Sequence, residues 1–235
     1  RHGTKVLLDG QGADETLAGY PKYIHWWLQE LLSQGKWKYF VHEKKLLTEN
    51  RVAFDWSSKN LIAAFTPGLA TTLLQRRENR RLLTNKEIHP SFLHAFYTKD
   101  AISKPFITSL NNALYHNTMQ NGLEELLNYA DRNSMSQGIE LRLPFLSHEL
   151  VSFLFSLPGH FKIRNGFTKW ILREAMKDEL PPAITWRKDK IGFEPPQQHW
   201  MEHPDVQERI REARRRLVLA GVLSKDVLKI PVRPL

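Results

Sequence analysis

The chain contains no cysteine. That excludes disulfides, thiolate nucleophiles and thiolate metal sites, and it is compatible with the cytoplasm. No apolar run approaches the roughly 20 residues that a membrane-spanning helix needs. The N-terminal Arg1-His2-Gly3-Thr4-Lys5 is followed only by the short Val6-Leu7-Leu8 run, so the apolar region of a signal peptide is missing. An initiator Met is missing too, which leads us to expect a piece of a longer chain. Internal repeats and low-complexity stretches are also lacking.

What is there suits a soluble globular protein. The 235 residues fit one large domain or one and a half typical ones. Seven Trp and 12 Phe can fill a sizeable core, which argues against disorder. The formal charge of +9 suits polyanionic partners, whether nucleic acid or nucleotide phosphates, or serves solubility alone.

Periodicity describes a mostly helical chain that opens on a strand. Residues 5–8 read as a short buried strand, stopped by Asp9-Gly10. A glycine-rich turn, Gly10 to Glu15, leads into a helix. Ile24, Trp27, Leu28, Leu31 and Leu32 recur at helical spacing, as do Trp37, Phe40 and Val41. Further helices are expected over 69–83, 91–96, 108–119 and 123–136, near Ser147, and over 168–179 and 205–219. A lone strand needs neighbours for its backbone groups, so further strands are expected upstream.

Three segments carry chemistry. In Leu8-Asp9-Gly10-Gln11-Gly12-Ala13-Asp14-Glu15 the glycines allow close approach, and helix-start amides attract anions. Asp14 and Glu15 would repel a bare phosphate, so a bridging Mg²⁺ makes better sense of them. The plainer reading is a turn followed by helix-capping acids. In the second segment, Gly138 to Leu146, Glu140 and Arg142 alternate with apolar residues ahead of Pro144, as in an extended segment. Pointing inward, they would pair with each other and with Asp131 and Arg132, around an active site or as a structural network. The third, Trp186-Arg187-Lys188-Asp189-Lys190-Ile191-Gly192-Phe193, is a charged loop pinned by glycine. A lysine there reaches a phosphate or oxyanion, or the loop is simply solvated surface.

Taken together and in this order, the segments resemble the asparagine synthetase family. Its members read a Gly-Glu-Gly-Ala-Asp-Glu turn, a Glu-x-Arg-x-Pro-Phe-Leu segment and an Arg-x-Lys-x-Gly-Phe-type loop. The resemblance runs over about 6–200. It implies an α/β fold overall, adenine nucleotide alpha hydrolase-like, with helices around a parallel sheet and this span mostly helical. The whole of 1–235 would be the C-terminal part of a synthetase domain, with 1–20 as a nucleotide-site element and 201–235 as a basic helical tail.

The activity implied is cytoplasmic asparagine biosynthesis. Aspartate is activated by ATP and Mg²⁺ as an acyl-adenylate, and ammonia from glutamine displaces AMP. The family resemblance also implies roles for single residues. Asp14 helps hold Mg²⁺-pyrophosphate, beside Gly10, Gly12, Glu15 and Arg142 at the nucleotide site. Lys190 stabilises developing negative charge, with Lys188 as the alternative register, and Glu140 walls the acyl site. Gln11 replaces the family's usual glutamate, and an amide cannot titrate as a base.

Neither the family's Ser-Gly-Gly-x-Asp-Ser pyrophosphate loop nor a Cys nucleophile for glutamine hydrolysis is found here. An upstream loop segment and a glutaminase domain are therefore expected partners, and this piece alone is expected to be inactive. The resemblance leaves room for a homodimer. Three rivals stand beside it. They are a β-lactam or macrolactam synthetase-like enzyme with an intramolecular amine, a helical nucleic-acid-binding module built on Arg209, Arg211, Arg214, Arg215 and Arg216, and a non-catalytic scaffold paralogue. Against the second, Glu208 and Glu212 are spaced to pair with Arg211 and Arg216, and Ile210, Ala213 and Leu217 form a docking stripe, so a specific nucleic-acid site is not expected.

Overall fold

The core begins with one helix whose apolar stripe is continuous. In a computed structural model that describes residues 3–98, 103–188 and 196–232, strand β1 (Val6–Leu8) and the short helix α1 (Ala13–Thr16) precede α2 (Lys22–Ser33). Tyr23, Ile24, Trp27, Leu28, Leu31 and Leu32 on α2 are all buried, the spacing of one face of a 3.6-residue helix. Each such side chain contributes roughly 1.5–3 kcal/mol on burial.

Helices α3 (Trp37–Glu49), α4 (Ser58–Phe65), α5 (Pro67–Leu83) and α6 (Pro90–Phe96) follow, then α7 (Leu110–Met119) and α8 (Leu123–Met135). Strand β2 (Glu140–Arg142), α9 (His148–Ser156), strands β3 (Ile163–Arg164) and β4 (Phe167–Thr168), and helices α10 (Trp170–Met176), α11 (Pro182–Thr185), α12 (Gln197–Glu202) and α13 (Pro204–Leu219) complete the order.

The chain divides into two units. The first comprises residues 1–70 and 105–190, the second 71–104 and 191–235. Within the first, Leu47 of α3, Leu110, Ala113 and Leu114 of α7, and Ile163 of β3 close over α2. Ser109 caps α7, accepting a hydrogen bond from Asn112 N at 3.2 Å, and Glu30 of α2 accepts from Leu110 N at 2.7 Å. In the second unit, Ser224 N donates to Glu87 O at 2.8 Å and His89 N to Val222 O at 3.0 Å, tying the segment after α13 to the approach to α6.

Several expectations need correcting. The initial strand is present but not buried: Val6, Leu7 and Leu8 are 44%, 44% and 76% exposed. Nor is it alone. β1 pairs in parallel with β2, matching Val6 with Glu140, Leu7 with Leu141 and Leu8 with Arg142. The helix expected over 168–179 starts at Trp170, because the residues before it form the antiparallel β3–β4 hairpin. Asn165 and Gly166 both have positive φ, 51° and 72°, as a two-residue hairpin turn demands. The α13 stripe is displaced as well. Ile210 is partly buried, but Ala213 and Leu217 are exposed, and Arg214 turns inward to donate to the carbonyls of Val227 and Ile230.

Candidate active site

The glycine turn stands directly on β1. Asp9 N donates to Arg142 O at 2.9 Å, so the second motif holds the root of the first. Gly12 takes φ 90°, and a Cβ there would lie 2.2 Å from Leu146 Cδ2. Only glycine satisfies both the backbone and the Pro144-Phe145-Leu146 turn packed over it. Thr16 returns its hydroxyl to Gly12 O at 2.7 Å.

This turn aims Asp14 at a lysine that the motifs did not single out. Lys169 Nζ lies 2.7 Å from Asp14 Oδ1, with the two side chains 29% and 25% exposed. Lys169 occupies the N-cap of α10 in the left-handed region, φ 55°. Its amide donates to Leu17 O at 3.2 Å. Beneath the pair lies Gly19, where a Cβ would stand 1.8 Å from Asp14 Oδ1 and 2.5 Å from Lys169 Cε. The ion pair exists because residue 19 has no side chain.

Two sequence signals mark Lys169. Asn165-Gly166 between the two-residue strands Ile163–Arg164 and Phe167–Thr168 announces a hairpin. A cation at a helix N-cap, where Ser, Asp or Asn is favoured and the dipole is positive, is locally unfavourable. Such a residue needs another reason to be there, and the carboxylate of Asp14 supplies one.

Glu15 is buried and accepts the Tyr20 hydroxyl at 2.9 Å. Burial first, then the Glu15 hydrogen bond and charge, push the Tyr20 phenol well above its usual range. Burial and Glu15 do the same to Tyr23. Both phenols therefore stay protonated near neutral pH.

The other sequence-predicted residues divide. Gly10 is exposed and Gln11 partly exposed on the turn. Glu140 and Arg142 do not point inward; they pair with each other at 2.8 Å on the surface, 53% and 62% exposed. An exposed pair of this kind contributes about 0–1 kcal/mol. Asp131 and Arg132 belong to α8, and among the described residues no ion pair joins them to Glu140 or Arg142. Lys190 lies outside the described residues. Lys188 borders a cavity of about 440 Å³ with Glu49, Asn50 and Arg51 at the end of α3.

The start of the third motif is nevertheless drawn to the hairpin. Trp186 packs with Phe167 and Trp170 at ring distances of 5.4 and 5.6 Å. Arg173 donates to Thr168 O at 2.7 Å, to Thr185 O at 2.6 Å and to Arg187 O at 3.1 Å.

Comparison with known proteins agrees with the motifs. The family described as asparagine synthase matches residues 1–229, a span that includes α13. Asparagine synthetase (glutamine-hydrolyzing) 1 of Bacillus subtilis (strain 168) is 25% identical over 231 residues, 94% of this chain and 35% of its own. A putative asparagine synthetase (glutamine-hydrolyzing) of Mycobacterium bovis is 26% identical over 219 residues, covering 88% and 32%. The Gallus gallus asparagine synthetase (glutamine-hydrolyzing) reaches 44% over 61 residues, 25% of this chain and 11% of its own. The chain thus spans about a third of the length of its bacterial relatives. No solved structure matches. With the family matched over 1–229, the chain belongs to the asparagine synthase family.

Proposed function

We propose that this chain supplies the charged part of an ATP-dependent amidoligase site, in which Lys169 and Asp14 handle the phosphates. The observation that carries the reading is the Asp14–Lys169 pair at 2.7 Å, seated on Gly19 beside the glycine turn. The parallel pairing of β1 with β2 supports an adenine nucleotide alpha hydrolase-like α/β fold around it.

In this reading a substrate carboxylate, aspartate by analogy with the relatives, attacks the α-phosphorus of ATP. The bond to the bridging oxygen breaks and pyrophosphate leaves. An amine, ammonia released from glutamine, then attacks the acyl carbon; AMP departs and the amine's surplus proton passes to a base. Lys169 balances the charge that builds on the phosphate oxygens, as a fixed cation in a partly water-excluded site. Asp14 orients the Lys169 ammonium and, with phosphate oxygens, would hold Mg²⁺.

The donor set fits magnesium only in company with phosphate. Among the described residues no group of three His, Cys, Asp or Glu is spaced to bind a metal alone, whereas Mg²⁺ commonly takes one or two carboxylates with phosphates and waters. When bound, the ion supplies neutralisation of the leaving pyrophosphate.

One observation favours a second nucleophile. Gln11 stands partly exposed on the turn and cannot take a proton. A substrate that carries its own amine, as in β-lactam or macrolactam closure, has the same surplus proton to lose but places its amine differently, so the proton can pass to a base elsewhere than position 11.

The test is ATP- and carboxylate-dependent pyrophosphate release by the complete gene product. Lys169→Ala should lower the rate about a hundred- to thousandfold, as for loss of one transition-state charge contact. Lys190→Ala is the comparison, and full loss there with none at Lys169 would return the role to the third motif.

A further inference from the structure

We infer that Lys162 is a positioning residue: its buried ammonium fixes the hairpin that presents Lys169 to Asp14. The inference rests on the role proposed above for Lys169. Lys162 is fully buried, a rare state for lysine. Its Nζ donates to Asn111 Oδ1 at 2.8 Å, Leu154 O at 2.7 Å and Leu157 O at 2.8 Å. An ammonium has three protons, and each is accounted for.

The acceptors explain why the charge is tolerated. Leu154 is in the last turn of α9 and Leu157 is its C-cap. Carbonyls there carry the negative end of the dipole, and Leu154 O, which also accepts Leu157 N at 3.3 Å, has a second lone pair for the ammonium. Asn111 of α7 also donates to Phe155 O at 3.2 Å and Leu157 O at 2.9 Å, so the cation locks the end of α9 to α7. The turn leading to Lys162 is seated on the core, since a Cβ at Gly159 would lie 2.8 Å from Trp27 Cζ3.

From this anchor the path to the site is short. Lys162 immediately precedes β3, and its carbonyl accepts Trp170 N at 2.9 Å, the residue after Lys169. The far end of the hairpin is clamped independently. Glu43 of α3, itself buried, accepts Asn165 N at 2.9 Å and Gly166 N at 3.1 Å, and Asn50 donates to Gly166 O at 3.0 Å. Lys162 thus closes the open end of a two-residue-strand hairpin that would otherwise be too short to hold its own register. A strained, left-handed Lys169 persists only where its surroundings over-determine it. An aliphatic residue would fill the core more cheaply than an ammonium, so the charge points to placement rather than stability.

Amide hydrogen exchange on the chain, with pyrophosphate release by the complete gene product, tests this. In Lys162→Met the Trp170 and Lys169 amides should lose about tenfold or more of their protection while Leu28 and Leu31 on α2 keep theirs, a local opening. The rate should fall toward that of Lys169→Ala, and the double variant should be no slower than Lys169→Ala alone. Should Lys162→Met not fold, Asn111→Ala, which removes one acceptor, carries the same expectations in milder form. Unchanged Trp170 protection, or equal loss across α2, in whichever variant folds would overturn the inference. A Lys169→Ala enzyme with full rate would instead overturn the proposed function, and the exchange data would still decide whether Lys162 places the hairpin.

Discussion

Replacing Gly19 by alanine should disable the site while leaving the fold almost untouched. Gly19 has no left-handed φ, so alanine carries no backbone penalty there. The new methyl would fall 1.8 Å from Asp14 Oδ1, 2.7 Å from Asp14 Cγ and 2.5 Å from Lys169 Cε. Reaching ordinary contact near 3.4 Å requires the carboxylate oxygen to retreat by about 1.5 Å. The 2.7 Å ion pair cannot survive that move with its present geometry. A charge-assisted hydrogen bond of this kind contributes roughly 1.5–3 kcal/mol. A misplacement of about 1 Å at a reacting centre costs on the order of a hundredfold in rate. Pyrophosphate release by the complete gene product should therefore fall about a hundredfold, while the thermal midpoint of the variant drops by only a few degrees. Gly68→Ala is the control, because among the described residues its Cβ would meet only Phe106 Cε2, at an ordinary 3.7 Å. A Gly19→Ala enzyme at full rate would refute the claim that the pair sets the chemistry.

Further outcomes follow from the same geometry. Burial lowers the Lys162 pKa to about 8 from 10.5, with Glu30 of α2 opposing; His160, in its own turn, has its imidazole lowered by burial and by Arg164 and Lys36. Above pH 8 the unfolded chain holds a proton that folded Lys162 has lost, so stability should rise by about 2–3 kcal/mol between pH 8 and 10. Above pH 10 the Tyr20 and Tyr23 phenols, held protonated by burial and Glu15, act in the opposite sense. Urea titrations in that window should show the rise in the native chain and none in Lys162→Met; a flat native profile would contradict the assignment. Arg211 and Arg215 pair with Glu208, at 3.2 and 3.3 Å, and Arg216 pairs with Glu212. Oligonucleotide binding should accordingly be weak, sequence-blind and steeply salt-dependent, and tight sequence-dependent binding at physiological salt would count against this reading. Calorimetry of the chain alone with ATP-Mg²⁺ should find no micromolar saturable site, since one glycine turn offers too few donors to cradle a triphosphate; such a site would contradict this reading of the turn.

How much of this was legible depended on the period of each signal. The α2 stripe, with its apolar residues one helical turn apart, announced itself. The eight-residue α4 did not: Ile62 and Phe65 are exposed and only Ala64 is buried, so no apolar stripe marks it. The run Val6-Leu7-Leu8 suggested a strand covered on both faces, yet in the described chain only β2 joins it. The Gly10–Glu15 turn was readable because Gly12 meets two constraints at once, positive φ and the Leu146 side chain. Lys169 was hidden by a helix boundary. Starting that helix at Thr168 made Lys169 an ordinary helix lysine, whereas the Asn165-Gly166 turn ends the hairpin one residue before it. Its partner lies far away in sequence, and spacing alone cannot pair Asp14 with Lys169. Lys162 was hidden similarly, since complete burial of a lysine depends on helix-end carbonyls that no local pattern foretells.

The measurement closest to the central claim is a double-mutant cycle between Asp14 and Lys169. Asp14→Asn, Lys169→Met and the combined variant of the complete gene product would be compared for ATP- and carboxylate-dependent pyrophosphate release. If the two side chains act as one charged unit, the double variant should be about as slow as the worse single variant, a coupling of more than about 1 kcal/mol. Rate losses that simply multiply, or a Lys169→Met enzyme that keeps its rate, would contradict it.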